Sequence, residues 1–261
     1  MIKYGMPTLI EYQTIEENVL LCQELQLDFI ELNMSMPYCL EEINNITHLK
    51  KLKESYKINF TMHFPEEIDF GSIYPEIQQA NLALFKRYLD YCTKVGISKI
   101  NIHLYPGTKV TLPNKTVWVY ETEFNNYLLR LQKALNNLVK MAYSYRIQVC
   151  VENSVAPLFY RNIFMKLKQI SNLLFTYDVG HDAITNYMME AVYQSMNEKV
   201  VHMHLHDYDK VTDHQILFKG IINLYEKLDF AKRNNMTVVI EVKTVEALRR
   251  SVYNLKMRHL I

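Results

Sequence analysis

Hydrophobic and polar positions follow two different periods along this chain, and segments of the two kinds alternate. Short apolar runs rich in β-branched and aromatic residues favour strands, whereas longer segments with apolar residues three or four apart favour helices. The predicted strands are Ile2–Gly5, Phe29–Leu32, Asn59–His63, Lys99–His103, Gln148–Glu152, Leu174–Asp178, Val200–His204 and Thr237–Glu241. The predicted helices are Glu16–Leu25, Glu41–Ser55, Pro75–Val95, Glu121–Tyr145, Arg161–Ile170, Ile184–Met196, Phe218–Asn234 and Val245–Met257.

Eight strands alternating with eight helices predict an α/β fold of the (β/α)₈ TIM-barrel type. The 261 residues allow about 33 for each unit, which suits that fold. The competing architecture, an open doubly wound sheet, would carry Gly-x-Gly-x-x-Gly after its first strand, and this sequence lacks that fingerprint. Because no Pro/Gly/Ser-rich linker divides the chain, we expect a single domain over residues 1–261.

The connection after the fourth predicted strand, residues 105–120, is unusually long. Within it, Lys109–Leu112 and Thr116–Val119 flank Pro113-Asn114-Lys115, a pattern typical of a small hairpin. Loops that follow barrel strands form the active face of the fold. The hairpin is therefore either a lid that carries Trp118, the one tryptophan of the chain, or a solvated ornament.

Ionisable side chains recur at the ends of the predicted strands. Successive side chains of a strand point to opposite faces, so one face of the seventh strand is apolar and the other carries histidines. In a barrel this second face is the interior, which opens at the carboxyl-terminal mouth. The residues that the same parity directs inward are Glu31, Thr61, His63, Asn101, His103, Glu152, Asp178, His202, His204, His206 and Glu241.

Several carboxylates gathered at one mouth would repel each other unless they were protonated, paired with bases or neutralised by cations. Carboxylate and imidazole together form a ligand set that suits Zn²⁺, Mn²⁺, Co²⁺ or Fe²⁺, and Mg²⁺ also stays open. The sequence therefore predicts a divalent metal ion at the mouth of the barrel.

The charge balance demands no polyanionic partner, because 29 Lys and Arg face 28 Asp and Glu. No apolar run approaches the roughly 20 residues of a membrane helix, and residues 1–5 do not resemble the start of a signal peptide. The four cysteines are scattered without a Cys-x-x-Cys motif, which favours buried small residues in a reducing compartment. We therefore expect a cytoplasmic protein without membrane association.

Short motifs follow the strands in a fixed order. They are Phe29-Ile30-Glu31, Thr61-Met62-His63-Phe64-Pro65, Ile102-His103-Leu104-Tyr105-Pro106-Gly107, Val151-Glu152-Asn153, Asp178-Val179-Gly180-His181, His204-Leu205-His206-Asp207, Asp213-His214 and Ile240-Glu241-Val242-Lys243. In this order the chain resembles the xylose-isomerase-like TIM barrels. That superfamily contains sugar and sugar phosphate isomerases and epimerases, and also endonuclease IV.

The epimerase branch of that superfamily implies one divalent metal held by four residues from strands five to eight. The matching positions here are Glu152, Asp178, His204 and Glu241. The resemblance also implies that His181 binds substrate. Glu152 and Glu241 would flank the substrate, each a metal ligand and each a candidate catalytic acid or base, in an order that the sequence does not give.

The first hypothesis is a divalent-metal-dependent isomerase or epimerase of a small sugar, sugar phosphate or polyol. It would move a proton next to a carbonyl through a metal-stabilised enediolate. The implied partner is a small carbohydrate, and homo-oligomers formed through the outer helices are common in this family. Further candidates for substrate binding are His63, His103, His206 and Lys210. For Glu31 and Lys243, an internal ion pair is an equal alternative to a role in the site.

The alternative is an endonuclease IV-like phosphodiester hydrolase acting on abasic DNA. That branch implies additional metal ligands, and the matching positions are His63, His103, His181 and His214. Two departures count against a full set: Thr212 replaces the expected aspartate, and Phe218 replaces a glycine. The acidic loop 64–69 would also repel phosphates. A third hypothesis is a barrel that binds metal or ligand without turnover.

Overall fold

A computed structural model describes residues 2–261, in which short strands alternate with helices along the chain. The strands are β1 (Lys3–Pro7), β2 (Phe29–Asn33), β3 (Asn59–His63), β4 (Lys99–Ile102), β5 (Lys109–Leu112), β6 (Lys115–Trp118), β7 (Gln148–Glu152), β8 (Leu173–Asp178), β9 (Val200–Leu205) and β10 (Thr237–Ile240). The helices are α1 (Ile15–Leu25), α2 (Pro37–Glu42), α3 (Ile46–Ser55), α4 (Pro75–Val95), α5 (Val119–Thr122), α6 (Phe124–Tyr143), α7 (Phe159–Leu167), α8 (Val179–Ile184), α9 (Glu190–Met196), α10 (Leu224–Arg233) and α11 (Val245–Lys256).

Eight of the strands form a closed barrel in the order β1-β10-β9-β8-β7-β4-β3-β2. All the pairings around the barrel are parallel, and they confirm the predicted (β/α)₈ architecture. The register sets inward-facing side chains of neighbouring strands at one level. Glu31 lies opposite Thr61, and Asp178 lies opposite His204.

The hydrophobic core lies between the barrel and the helices rather than inside the barrel. Phe60, Met62, Val149 and Val151 are buried on the outward face of their strands, as the period-two pattern predicts. The interior instead holds buried polar side chains. They include Glu31, Thr61, Lys99, Asn101, Glu152, Thr176, Asp178, His202 and His204.

Three predicted helices are each divided in the structure; Glu121–Tyr145 is interrupted at Glu123, between α5 and α6. The predicted helix Glu41–Ser55 is replaced by α2 and α3, because the Asn45 side chain accepts a hydrogen bond from the backbone N–H of His48 and caps α3. The predicted helix Ile184–Met196 is interrupted at Asn186 and Tyr187, which have φ of 55° and 57°. Such left-handed backbone ends a helix, so α8 and α9 are separate.

The predicted hairpin is present, as the antiparallel pair β5 and β6. Its base is held to the body of the protein, since the Tyr120 hydroxyl donates to the Asp69 carboxylate and the Tyr120 ring stacks on Tyr127 at 4.4 Å between centroids. Its role as a lid stays a prediction.

Among residues 2–261, no helix combines the length and the apolar character that crossing a bilayer requires. All four cysteines are buried, as expected: Cys22, Cys39, Cys92 and Cys150.

We predict that Thr14→Ala lowers the free energy of unfolding by about 1 kcal/mol. The Thr14 hydroxyl accepts from the backbone N–H of Glu17, and the Glu17 carboxylate accepts from the backbone N–H of Thr14, so that the pair caps α1. Urea denaturation would measure the loss. Thr14→Ser keeps the oxygen and is the matched control; an equal loss in both variants would contradict this account.

Candidate metal centre

His204 lies at the centre of a cluster of acidic side chains at the mouth of the barrel. Its Nδ1 atom is 3.1 Å from Glu152 Oε1, 3.1 Å from Glu241 Oε2 and 4.0 Å from Asp178 Oδ2. One ligand atom from each of the four residues lies within 4.8 Å of all the others. The structure thus brings together the four positions that the sequence predicts as one metal site.

Two buried atoms of the cluster that could bind a metal have no hydrogen-bond partner. His204 Nδ1 and Glu241 Oε2 are buried, and neither makes a hydrogen bond with any of the described residues. Unpaired buried polar atoms are costly, so a native site that contains them calls for a ligand. Three carboxylates and one imidazole form a donor set that fits a divalent cation.

Electrostatic coupling holds the carboxylates of the cluster ionised. Burial opposes ionisation, but His204 and His103 hold the pKa of Glu152 well below its usual range. Lys243 and His204 likewise hold the pKa of Glu241 well below its usual range against burial. Burial also opposes the charged form of His204, yet Glu152, Glu241 and Glu31 together raise its pKa well above the usual value.

On the β7 side, three side chains surround the Glu152 carboxylate. His103 Nε2 lies 3.2 Å from Oε1, His63 Nε2 lies 3.5 Å from Oε2, and the Asn101 amide donates to Oε2. The two imidazole Nε2 atoms are 3.3 Å apart. Burial would lower the pKa of His63, but Glu152 more than offsets burial and raises it to about 9.

On the β8 side, Asp178 is held from three directions. Its Oδ1 accepts from the backbone N–H of His181 at 2.7 Å, and its backbone N–H donates to Asn153 Oδ1 at 2.9 Å. His206 Nε2 lies 3.0 Å from the same Oδ1. Oδ2 faces His204 Nδ1, so these contacts aim one oxygen at the centre of the cluster.

His206 is placed behind Asp178 rather than in the mouth. It is fully buried, and its Nδ1 accepts from the backbone N–H of His214 at 2.8 Å. Both ring nitrogens of His206 therefore contact other groups of the protein, and its role in substrate binding stays a prediction. The ring fits only because position 180 is glycine, since a Cβ atom there would overlap with it.

His181 and His214 face one carboxylate at the rim. Asp213 Oδ2 lies 3.9 Å from His181 Nε2 and 3.7 Å from His214 Nε2. His214 Nδ1 donates to the backbone oxygen of Glu241 at 2.9 Å, so its Nε2 keeps a lone pair. Asp213, the residue after Thr212, thus approaches both histidines at the rim.

The remaining candidates are dispersed. Lys243 Nζ donates to Glu241 Oε1 at 2.7 Å, and Glu31 Oε1 lies 2.7 Å from His204 Nε2 inside the barrel. Both residues are therefore in ion pairs and also in contact with the cluster. Lys210 is exposed at a loop tip with φ of 80°.

A cavity of about 360 Å³ opens beside the cluster. It is lined by Glu31, His63, Glu66, Glu67, Glu241 and Lys243, among others. A hollow of about 840 Å³ near Tyr4 and Asp28 is larger, but its lining contains none of the four cluster residues. The smaller cavity therefore has the chemistry of a binding site, and its size suits a small molecule.

Several residues that build this site were not predicted from the sequence. Asp207 holds the loop 206–223, because its carboxylate accepts from the backbone N–H groups of Tyr208, Gly220 and Ile222. That loop carries Asp213, whose position depends on its path. Lys99 is two residues before Asn101 on the same strand, so the alternation of the strand predicts that it points inward. It was not predicted as a site residue, because a lysine at the start of a strand ordinarily reaches solvent.

The family model described as Xylose isomerase-like TIM barrel matches residues 19–256. The chain therefore belongs to the xylose-isomerase-like TIM barrel family, which confirms the resemblance drawn from its motifs. An uncharacterized protein of Methanocaldococcus jannaschii is 25% identical over 213 residues, which cover 79% of this chain and 80% of the relative.

Solved structures share the fold at low sequence identity. A D-tagatose 3-epimerase-like protein superposes with a TM-score of 0.82 at 18% identity, over 99% of this chain and 98% of that chain. An IolI protein with a bound zinc atom superposes with a TM-score of 0.78 at 14% identity, over 99% of this chain and 98% of that chain.

We predict that Gly180→Ala destabilises the protein by about 1–3 kcal/mol, because the added methyl group overlaps with the His206 ring. In a His206→Ala background the same change should be neutral or stabilising, since alanine is the better helix former. Chemical denaturation of the four proteins of this double-mutant cycle would measure the coupling. An equal cost in both backgrounds would contradict the packing described here.

Proposed function

We propose that this protein is a divalent-metal-dependent isomerase or epimerase of a small sugar or polyol. The observation that carries the proposal is the arrangement around His204 Nδ1. Two carboxylates, Glu152 and Glu241, approach this atom at equal distance, and buried donor atoms of His204 and Glu241 are without partners. Glu152, Asp178, His204 and Glu241 would hold the cation.

Glu152 and Glu241 are the candidates for proton transfer. Both are buried and both have a pKa below the usual range, so each is ionised at neutral pH and can accept a proton. An epimerase needs a base on one face of the substrate carbon and an acid on the other, and the two exchange roles in the reverse direction. One of the two carboxylates must therefore take up a proton when the substrate binds, so that it serves as the acid while the other serves as the base.

Each of these carboxylates has one oxygen that is held. Asn101 donates to Glu152 Oε2, and Lys243 donates to Glu241 Oε1. The other oxygen of each, Glu152 Oε1 and Glu241 Oε2, faces the centre. When bound, a divalent cation would supply stabilisation of the negative charge that develops on substrate oxygens.

His181 is the candidate for substrate binding at the rim, with His63 and His103 on the opposite side. The acidic residues Glu66 and Glu67 line the cavity and disfavour an anionic ligand there. An uncharged ketose or polyol therefore suits the cavity better than a sugar phosphate. The names of the structural relatives, among them a D-tagatose 3-epimerase-like protein, support a sugar substrate.

A specific observation keeps a second candidate, an endonuclease IV-like phosphodiester hydrolase. His63 and His103 converge on Glu152, and Asp213 approaches both His181 and His214, so that further cations could be held on either side of the first. Metal ions clamp both oxygens of such a displacement. The acidic cavity wall counts against a DNA backbone.

Solvent-deuterium exchange tests the two against each other. The metal-loaded protein, incubated in D₂O with a panel of ketoses, aldoses and inosose-like polyols, should incorporate deuterium next to the carbonyl of at least one sugar. Nicking of an abasic duplex, with no exchange into any sugar, would replace the proposal by the second candidate.

We predict that Glu152→Gln and His204→Ala each reduce metal content and turnover to background while the protein stays folded. Each change removes a donor atom from the four-residue set. Metal analysis, circular dichroism and the exchange assay would follow the three properties. Glu198→Gln, an exposed carboxylate outside the site, is the matched control. Wild-type turnover in either site variant would rule out this ligand set.

We predict that metal affinity rises with pH between pH 6 and 8, by about tenfold per unit for each proton displaced. The pKa of His204 is raised, so its imidazole is protonated over this range in the metal-free protein, and a cation must displace that proton. The carboxylates, with lowered pKa values, contribute no protons there. Calorimetry in two buffers of different ionisation enthalpy would count the released protons, and a flat affinity would contradict the prediction.

A further inference from the structure

A chain of polar side chains runs through the barrel interior beneath the metal centre. It begins at Lys99 on β4, passes Thr237 on β10 and His202 on β9, and reaches Glu31 on β2. Lys99, His202 and Glu31 are buried, with 5%, 0% and 2% of their surface exposed. A lysine this deep in a barrel needs fixed partners, because burying an unpaired ammonium group is very costly.

Lys99 is a donor only, so its neighbours must accept. Its Nζ donates to the backbone oxygen of Val201 at 3.1 Å and to Thr237 Oγ1 at 2.6 Å. The same Nζ lies 3.4 Å from His202 Nδ1. Thr237 Oγ1 is 2.5 Å from that Nδ1. The Nδ1 side of His202 therefore faces an ammonium group and a hydroxyl.

This environment decides where the proton of His202 sits. The ammonium group disfavours a second positive charge on the ring, which keeps the imidazole neutral. On the other side of the ring, Nε2 lies 3.1 Å from Glu31 Oε2. Because a carboxylate oxygen only accepts, Nε2 carries the hydrogen and Nδ1 is bare.

Glu31 connects His202 to His204, because one carboxylate oxygen contacts each ring. Its Oε2 accepts from His202 Nε2 and from the Thr61 hydroxyl, the latter at 3.0 Å. Its Oε1 lies 2.7 Å from His204 Nε2, an ion-pair contact whose angles fall outside hydrogen-bond geometry. An anionic oxygen at this distance keeps a hydrogen on Nε2 of His204. Nδ1, which faces Glu152 and Glu241, is then the nitrogen from which a cation would displace a proton.

We propose that Lys99 is a positioning residue which, through Thr237, His202 and Glu31, keeps a hydrogen on Nε2 of His204 and so reserves Nδ1 for a divalent cation. That a divalent cation binds at this site rests on the proposed function. The positions of the hydrogens on Nε2 of His202 and of His204 are argued from the contacts of Glu31. In metal sites generally, a carboxylate that accepts from the ring nitrogen not bound to the metal fixes the orientation of the histidine. Here the arrangement is extended by a second histidine and a lysine.

Proton positions are tested directly by long-range ¹H–¹⁵N correlation spectra of the Zn²⁺-loaded protein labelled with [¹⁵N]histidine. Single His→Gln variants would assign the signals. The expected result is a hydrogen on Nε2 of both His202 and His204, with Nδ1 of His202 bare. In Lys99→Met the His202 signals should change. A bare Nε2 on His204, or an unchanged His202 in Lys99→Met, would overturn the proposal.

Zn²⁺ affinity, measured by competition with a chromophoric chelator, gives an independent readout. Glu31→Gln should weaken binding by about 10- to 100-fold, and Lys99→Met by about tenfold. Lys227→Met is the matched control, because Lys227 is another buried lysine, ion-paired with Glu190 on the outer side of the barrel, and should change affinity by less than about twofold.

Thr237→Val is the second variant if Lys99→Met fails to fold, and it should weaken Zn²⁺ binding in the same direction. Equal Zn²⁺ affinity in wild type and in Glu31→Gln would overturn the inference. Failure of the proposed function would look different. No sugar would then exchange deuterium, but the proton positions and the losses of Zn²⁺ affinity would still be as expected, and this inference would stand.

Discussion

The structure depends on how it accommodates negative charge inside a closed barrel. Four carboxylates, those of Glu31, Glu152, Asp178 and Glu241, are buried within contact distance of His204. Removing carboxylates from water is expensive unless bases, hydrogen-bond donors or cations compensate for the lost solvation. Each carboxylate here has one oxygen held by a protein donor and one oxygen directed at His204, so a single imidazole ties the four together.

This constraint explains why the barrel is polar inside and apolar outside. The strands alternate because outward positions must pack against helices, whereas inward positions must supply the partners of buried charges. The same demand reaches the loops. Asp207 holds the loop 206–223 by three backbone N–H groups, and that loop supplies both the backbone N–H on His206 and the Asp213 carboxylate. Residues that do not belong to the four-residue cluster thus fix the positions of the residues around it.

The strands and their inward faces could be predicted from the sequence, because period-two alternation is local and a closed parallel barrel leaves one interior. The breaks in two helices could not, because the cap at Asn45 and the left-handed turn at Asn186 are decided by a few atoms against a continuing apolar pattern. The convergence of strand-end residues was predictable in outline. The contacts of the His206 ring were not, because parity gives the face of a residue and not the partners of its ring nitrogens.

The difference between a sugar enzyme and a phosphodiester hydrolase lies outside the four central residues. His214 donates Nδ1 to a backbone oxygen and keeps an Nε2 lone pair near the mouth, whereas His206 has none to offer. His63 also donates Nδ1 to a backbone oxygen, but its pKa is raised to about 9, so its Nε2 carries a proton at neutral pH. The His214 lone pair suits either a substrate hydroxyl or a further cation. A polyanion, however, must pass the wall of Glu66 and Glu67, where burial is slight and repulsion acts before any contact with the metal centre. Charge at the rim, rather than the ligand set, therefore favours a small neutral substrate.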